Sequence, residues 1–397
     1  MAGGSAVVFR KVLVVAQIAL SLLLLVGAGL FAHSLYNLKS LDPGFRTDNL
    51  MTFAMDPSLN GYSQSRTQAL FARLQEDIAA VPGVRSVSMA NIAALSNDED
   101  MSTVTVEGHH PKEGEDMNPH VNHLGPGYLA TLGIPLIAGR EFTKRDVMGA
   151  PLVGMINETA ARSFFGNQNP IGRHFGFGGR RGIADIEIAG VVKDDKTAGL
   201  KAAAPRLVYV PYMQEKSVTH MTIYVRTAQA PSQMAATLRR VVQQVDSNLP
   251  VAGMKTMNTL VDEFLFTERL VAMLSAMFGI LATLLAAVGL YGVMAYTVAR
   301  RTREIGIRVA LGASRAEVVR LVMRDVGWMA ALGIAIGLVA ALALTRLMTS
   351  MLFGVQATDV YTYALISLLL AGVALAASYL PSRRAMALDP VTALRHE

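Results

Sequence analysis

Val12–Ala32, VLVVAQIALSLLLLVGAGLFA, runs for 21 residues without a charged side chain. At ~1.5 Å of rise per residue, that is enough α-helix to cross roughly 30 Å of hydrocarbon. Arg10 and Lys11 precede it, as they would in a secretory signal, but the apolar core exceeds the ~7–15 residues of such a signal and Leu30-Phe31-Ala32 is a poor cleavage site. The run therefore reads as a membrane anchor. Further along the chain, residues 270–298, 326–344 and 363–380 are equally free of charge and rich in Leu, Ala, Gly and Val. Four such runs predict an α-helical membrane protein with four transmembrane helices in a one-plus-three arrangement.

The rest of the composition agrees. Of 397 residues, 52% are hydrophobic and only 17% charged, whereas soluble domains carry roughly a quarter charged. The absence of cysteine excludes a disulfide scaffold, a Cys-ligated zinc or iron–sulfur site and a thiol nucleophile. Short loops rich in Lys and Arg stay in the cytoplasm. Segment 300–325 holds seven arginines against Glu304, Glu317 and Asp325, while Arg10 and Lys11 flank one end of the chain and Arg383, Arg384 and Arg395 the other. Four crossings put these three segments on one side, so both termini are predicted cytoplasmic and the long middle segment extracytoplasmic. Residues 33–269 carry 23 Lys and Arg against 24 Asp and Glu, so the +6 of the whole chain resides beside the membrane. It is a topology signal, and with no basic strip interleaved with aromatics a nucleic-acid partner is not expected.

Within the middle segment, Leu50–Met55 reads as a strand, Gln64–Ala80 as an amphipathic helix and Val84–Ala90 as a second strand after the Pro82-Gly83 turn. The pattern recurs at Met221–Arg226, Pro231–Val245 and Val251–Met257. Two bracketing βαβ units predict a large α+β domain with a split βαβ, ferredoxin-like or porter-like lobe. An inserted second lobe at about 109–215 carries short elements at Leu152–Ile156, Glu158–Phe165, Ile186–Val192 and Leu207–Val210. Residues 32–41 and 257–266 read either as outward extensions of helices one and two, forming a paired stalk, or as simple linkers.

Catalytic constellations are sparse. His109, His110, His120 and His123 lie near Glu107, Glu113, Glu115 and Asp116, but without an HExxH pair on a helix the segment reads as a solvated loop, and no metal site is expected. Gly176–Gly182 superficially resembles a phosphate loop; its spacing misses G-x-G-x-x-G and a strand follows, so it reads as a hairpin turn. Neither G-x-x-x-x-G-K-[ST] nor G-x-S-x-G occurs in the 397 residues. The four spans contain no ionisable relay of the kind that ion-driven transporters use. Gln17 reads as interhelical glue, and Gly333-x-x-x-Gly337 either as a close-packing face or as general small-residue packing.

Segment 300–325, RRTREIGIRVALGASRAEVVRLVMRD, is the most informative. Its apolar residues recur at helical spacing, and Gly312-Ala313-Ser314 is suited to end one helix and cap the next. It is either an interfacial amphipathic helix or a lever for a cytosolic protein.

At this point the sequence resembles the permease subunits of MacB/FtsX-type ABC transporters. The match rests on Arg303-Glu304-Ile305-Gly306-Ile307-Arg308-Val309-Ala310-Leu311-Gly312-Ala313 and on Ala387-Leu388-Asp389-Pro390-Val391-Thr392-Ala393-Leu394-Arg395. In the outer domain it rests on Gly139-Arg140-Glu141-Phe142, Ile156-Asn157-Glu158, Asn169-Pro170-Ile171-Gly172, Gly190-Val191-Val192-Lys193-Asp194 and Val208-Tyr209-Val210-Pro211-Tyr212. The resemblance implies a chain divided into residues 1–41 (tail, helix one and stalk), 42–257 (a MacB-like periplasmic core domain) and 258–397 (an FtsX-like permease domain). It implies a permease of the bacterial inner membrane that binds no cofactor itself and dimerises with a second copy or a paralogue. ATP and Mg would be used by a cytoplasmic ABC ATPase supplied in trans; a periplasmic adaptor is a further implied partner. Residues 300–325 become the segment seated on the ATPase, with Arg303, Glu304, Ile305, Gly306, Arg308, Leu311, Gly312, Ala313 and Arg315 at the contact. The implied work is export or extraction of a peptide, lipid, lipoprotein or drug, or alternatively a mechanical relay to a periplasmic partner such as a cell-wall hydrolase. The chain is also similar to one half, particularly the C-terminal half, of duplicated permeases.

Overall fold

The computed structural model describes residues 2–96, 98–179, 182–201, 203–300, 315–349, 352–356 and 358–386. In chain order the elements are α1 (Ala2–Ser40), β1 (Leu50–Met55), α2 (Gln64–Ala79), β2 (Val84–Ala90), β3 (Val104–Val106), β4 (His120–Leu124), α3 (Tyr128–Leu132), β5 (Leu136–Gly139), β6 (Val153–Asn157) and α4 (Glu158–Phe165). There follow β7 (His174–Phe177), β8 (Ile186–Val192), β9 (Leu207–Pro211), β10 (Met221–Thr227), α5 (Pro231–Val245), β11 (Ala252–Thr256), α6 (Met257–Phe264), α7 (Phe266–Arg300), α8 (Arg315–Leu347) and α9 (Val360–Met386). The chain divides into two compact units, residues 1–40 with 265–397 and residues 41–264.

Among the described residues the first unit is a bundle of four helices, each long and apolar enough to cross a membrane: 8–40, 266–300, 323–347 and 360–379. All four outrun the apolar stretches that announce them, because backbone hydrogen bonding continues past the hydrocarbon into polar flanks. Helix α1 persists to Ser40, whereas the extension of the second span is interrupted at Leu265, between α6 and α7. The outward faces are apolar: Trp328, Leu332, Ile336 and Val339 form a stripe on α8 exposed by 48–70%, the face a lipid solvent requires. Inside, Val14, Ile18, Leu290, Met294, Val326 and Met329 make one core cluster, and Leu22, Val26, Leu30, Ala341, Tyr363 and Leu370 another.

The second unit is an α/β domain on a sheet of order β11-β1-β10-β2-β4-β9-β6-β8-β7-β3, with β5 paired to β8. The first four strands reproduce the expected pair of βαβ units. β1 lies antiparallel to β10 through six successive pairs, Leu50↔Arg226 to Met55↔Met221, and β11 and β2 flank them. Helices α2 and α5 cover this sheet over a core of Phe53, Phe71, Leu74, Ile78, Met89, Ile223, Val225 and Leu238. Strands β3 to β9 form the second lobe, with α4 packed over Val121, Ile156, Phe175, Ile188 and Val208. A single ladder pair, Ala90↔Leu124, joins β2 to β4 across the seam.

Sequence reading located β1, β2, β8 and β10 within a residue and α2, α4 and α5 closely, and β7 and β8 form the expected hairpin around Gly178. It misjudged the histidine segment. His120 and His123 stand in β4, not in a solvated loop, because β4 is paired along its length with β9 in parallel.

Candidate functional site

Within the bundle, α1 packs against α7, α8 and α9. Small residues on its partners set the approach. A β-carbon at Gly333 would fall 2.8 Å from Ile18 Cβ, and one at Gly337 would fall 2.9 Å from the Ala19 carbonyl oxygen. The Gly333-x-x-x-Gly337 pair is thus a close-packing face, and its partner is α1. Gln17 packs its amide over Gly289, where a β-carbon would meet Oε1 at 2.5 Å. That buried oxygen accepts no hydrogen bond among the described residues, so at Oε1 the contact with Gly289 is one of packing.

Polar ties fix α1 at both ends. Towards Ser40, Ser34 Oγ accepts the Phe353 amide at 2.8 Å, Asn37 Nδ2 donates to the Gly354 carbonyl at 3.0 Å, and His33 Nδ1 lies 3.4 Å from Asp359 Oδ2. Thr362 Oγ1 donates to the same carboxylate at 2.6 Å, and Thr345 Oγ1 pairs with the Tyr363 hydroxyl at 2.9 Å. Towards the other end, the Arg10 guanidinium sits 4.3 Å from the Tyr296 ring centroid and Lys11 Nζ lies 4.0 Å from Asp325 Oδ2.

The outer unit grips the residues that follow α1 as firmly. Arg226, next to last in β10, has its side chain turned inward, 8% exposed. Its Nε donates to the Thr131 carbonyl at 2.7 Å, Nη1 to that of Asp48 at 2.6 Å and Nη2 to that of Arg46 at 2.9 Å. Burial lowers its pKa, partly offset by the Asp48 charge, yet a guanidinium stays cationic at any physiological pH. Three carbonyl dipoles therefore replace its water, and residues 46–48 are pinned to β10 and to α3.

The second lobe is organised around Asn157. It caps α4 by accepting the Ala160 amide on Oδ1, which also accepts the Leu207 amide, and its Nδ2 donates to Asp194 Oδ1 and to the Pro205 carbonyl. All four of its hydrogen-bonding positions are filled. Nearby, Arg140 holds Asp146 in a two-point pair with both distances at 2.9 Å. Burial alone would raise the Asp146 carboxyl, but Arg140 and the Thr143 amide outweigh it and hold the pKa below the usual carboxylate range. Gly139, at φ +77°, is obligatory, because a β-carbon there would lie 2.0 Å from the Ala189 carbonyl oxygen.

A family model described as MacB-like periplasmic core domain matches residues 12–244, and one described as FtsX-like permease C-terminal matches residues 276–390. The chain belongs to the MacB/FtsX family of ABC transporter permeases. Among relatives, an uncharacterized ABC transporter permease YknZ of Bacillus subtilis is 24% identical over 392 residues, covering 95% of this chain and 92% of that protein. A pyoverdine export ATP-binding/permease protein PvdT of Pseudomonas syringae is 23% identical over 71% of this chain and 43% of its own length. A macrolide export ATP-binding/permease protein MacB of Wolinella succinogenes is 24% identical over 86% of this chain and 51% of its own. The chain thus spans about half the length, or less, of these ATP-binding/permease relatives. The solved periplasmic region of MacB from Actinobacillus actinomycetemcomitans aligns with 56% of this chain and 95% of that one at 17% identity and a TM-score of 0.38.

As a member of this family the chain spans the membrane and carries its large domain outside the cytoplasm. Three of the outer-domain motifs behind the resemblance have structural roles: Gly139-Arg140-Glu141-Phe142 supplies the obligatory glycine, the Asp146 clamp and the buried Phe142, and Asn157 and Asp194 meet directly. Of the residues expected at the ATPase contact, Arg303, Glu304, Ile305, Gly306, Arg308, Leu311, Gly312 and Ala313 lie outside the described residues, and Arg315 opens α8. The histidines do not converge among the described residues. His109 pairs with Glu115 at 3.0 Å, whereas His123 pairs with Glu215 at 3.2 Å. Sequence reasoning missed Arg226. Its one signal is an arginine near the end of an otherwise apolar strand, MTIYVRT, whose seven residues are all buried.

Proposed function

We propose that this chain is a bacterial inner-membrane ABC permease subunit with cytoplasmic termini. It couples ATP hydrolysis by a separate cytoplasmic ATPase to movement of the periplasmic domain, and so drives export or extraction of a peptide, lipid, lipoprotein or drug. One observation carries the mechanical part. Helix α1 is tied into the bundle at both ends, and residues 46–48, a few positions after it, are pinned by Arg226, so movement carried along α1 would reach the periplasmic domain through a short, anchored segment. ATP and Mg would serve the ATPase, docked on residues 300–325, and acidic residues of that partner would pair with Arg303, Arg308 and Arg315, with Glu304 orienting its neighbours. Such pairs contribute about 1–3 kcal/mol each when desolvated and much less at a wet rim. A second copy or a paralogue completes the permease, and a periplasmic adaptor receives the movement.

The test is a gentle-detergent pull-down of the tagged full-length chain, with ATP hydrolysis assayed in the eluate. Recovery of a hydrolysing partner that Arg303→Glu/Arg308→Glu loses supports the reading. Absence of such a partner from a folded chain refutes it. Stimulation of hydrolysis by an exported compound separates transport from mechanical relay.

A further inference from the structure

We infer that residues 43–48, the segment that follows α1, form a differential lever: they hold one lobe of the periplasmic domain at Pro43–Gly44 and the other at Arg46–Asp48. A turn of α1 then changes the angle between the lobes. The inference rests on the mechanical reading above and says where the movement is spent.

The hold on the first lobe is the Arg226 clamp, with the Arg46 amide also donating at 2.7 Å to the carbonyl of Leu132 in α3, a helix that packs on β2 and β10 of that lobe. The hold on the second lobe is the turn Lys193–Thr197, which leaves β8. The Lys196 amide donates to the Pro43 carbonyl at 2.8 Å. Gly44, at φ +77°, lies so close to the turn that a β-carbon would fall 3.0 Å from both the Asp194 carbonyl oxygen and the Asp195 Cα. The turn itself belongs to the second lobe. The Asp194 carboxylate accepts Asn157 Nδ2 at 2.8 Å, the Thr159 amide at 2.9 Å, Thr159 Oγ1 at 2.7 Å and Arg162 Nη2 at 2.8 Å. Its shape is set by Asp195, 2% exposed, which accepts the Thr197 amide at 2.8 Å and the Tyr209 hydroxyl at 3.3 Å.

Two features mark the seam where the lobes meet. Among the described residues β2 and β4 share one ladder pair, Ala90↔Leu124, where β1 and β10 share six and β4 and β9 five, and side chains also close the seam, as where the Asn122 amide exchanges two hydrogen bonds of 3.0 Å with the Ile92 backbone. Just beyond β2, Leu95 is held at φ +61° with its amide donating to the Thr197 carbonyl at 2.7 Å. A leucine keeps this left-handed conformation only where its surroundings impose it. Strain thus sits where the first lobe touches the turn that Pro43 grips.

The absence of cysteine permits a clean test by paired spin labels at Ser65→Cys in the first lobe and Gln168→Cys in the second, both exposed. In the full-length chain without any ATPase, Gly44→Val pushes the turn away, and the inter-lobe distance distribution should shift from that of the parent. An unchanged distribution overturns the lever. With the co-purified ATPase, ATP and vanadate should shift the parent's distance, and inserting Gly-Gly between Ser40 and Leu41 should abolish that shift while ATPase recovery is kept. A shift that survives the insertion also overturns the lever. Failure to recover an ATPase refutes the proposed function, whereas the Gly44→Val arm still decides the geometry.

Discussion

Asn157 Nδ2 donates to Asp194 Oδ1 at 2.8 Å while Asn157 Oδ1 receives the amides of Ala160 and Leu207. One side chain therefore ties the start of α4, the start of β9 and the turn after β8. Asn157→Ala should destabilise the outer domain by about 3 kcal/mol, combining a lost helix cap with buried groups left unpaired. Asn157→Asp, though the same size, should be at least as damaging, because it sets a second carboxylate against Asp194. Far-UV circular dichroism melts of the two variants check the order.

Arg226→Met should cost about 2 kcal/mol, since the buried Thr131 carbonyl and the half-buried carbonyls of Asp48 and Arg46 lose their donor. Arg226→Lys should recover only part of this, because an ammonium cannot span the fork that reaches Arg46, Asp48 and Thr131. Limited proteolysis around residues 41–49 should rise in the same order. Equal protection in Met and Lys variants would contradict the three-point geometry.

Asp195 provides a pH signature. Burial raises its pKa, and the Thr197 and Tyr209 hydrogen bonds offset this only in part. A carboxyl with a folded pKa above its unfolded one keeps its proton longer in the native chain. Its contribution is then fully present below the unfolded value near pH ~4 and declines as pH rises through the folded value. Asp195→Asn should therefore melt at or above the parent's temperature at pH 7, with the two curves converging near pH ~4. A variant that melts lower at pH 7 would overturn this.

In the bundle, two glycines should behave differently. Gly337→Ala drives a methyl to 2.9 Å from the Ala19 backbone carbonyl, which cannot retreat, and should cost about 2 kcal/mol. Gly289→Ala meets only the end of the Gln17 side chain, which rotates aside, and should cost under about 0.5 kcal/mol. Thermal midpoints of the purified variants in lipid nanodiscs separate the two.

The membrane helices were legible because length without charge is a one-dimensional property, and the ferredoxin-like lobe because its strands and helices alternate at periods of two and 3.6. β4 was not, since HVNHL has no clean alternation and owes its conformation to β9, more than eighty residues away. Arg226 and Asn157 were illegible as clamps for a related reason. Their partners are carbonyls and amides, and backbone groups leave no mark in a sequence. The family motifs were visible as words whose meaning lay in that same backbone, as with Gly139 against the Ala189 carbonyl.

Trp328 stands on the outward stripe of α8, 69% exposed, and is the only tryptophan of the chain. Indole emission thus samples the lipid beside one bundle helix and nothing of residues 41–264. A fluorescence melt records the loss of that surrounding alone; the larger, outer half of the protein unfolds dark unless tyrosine emission or ellipticity is followed as well.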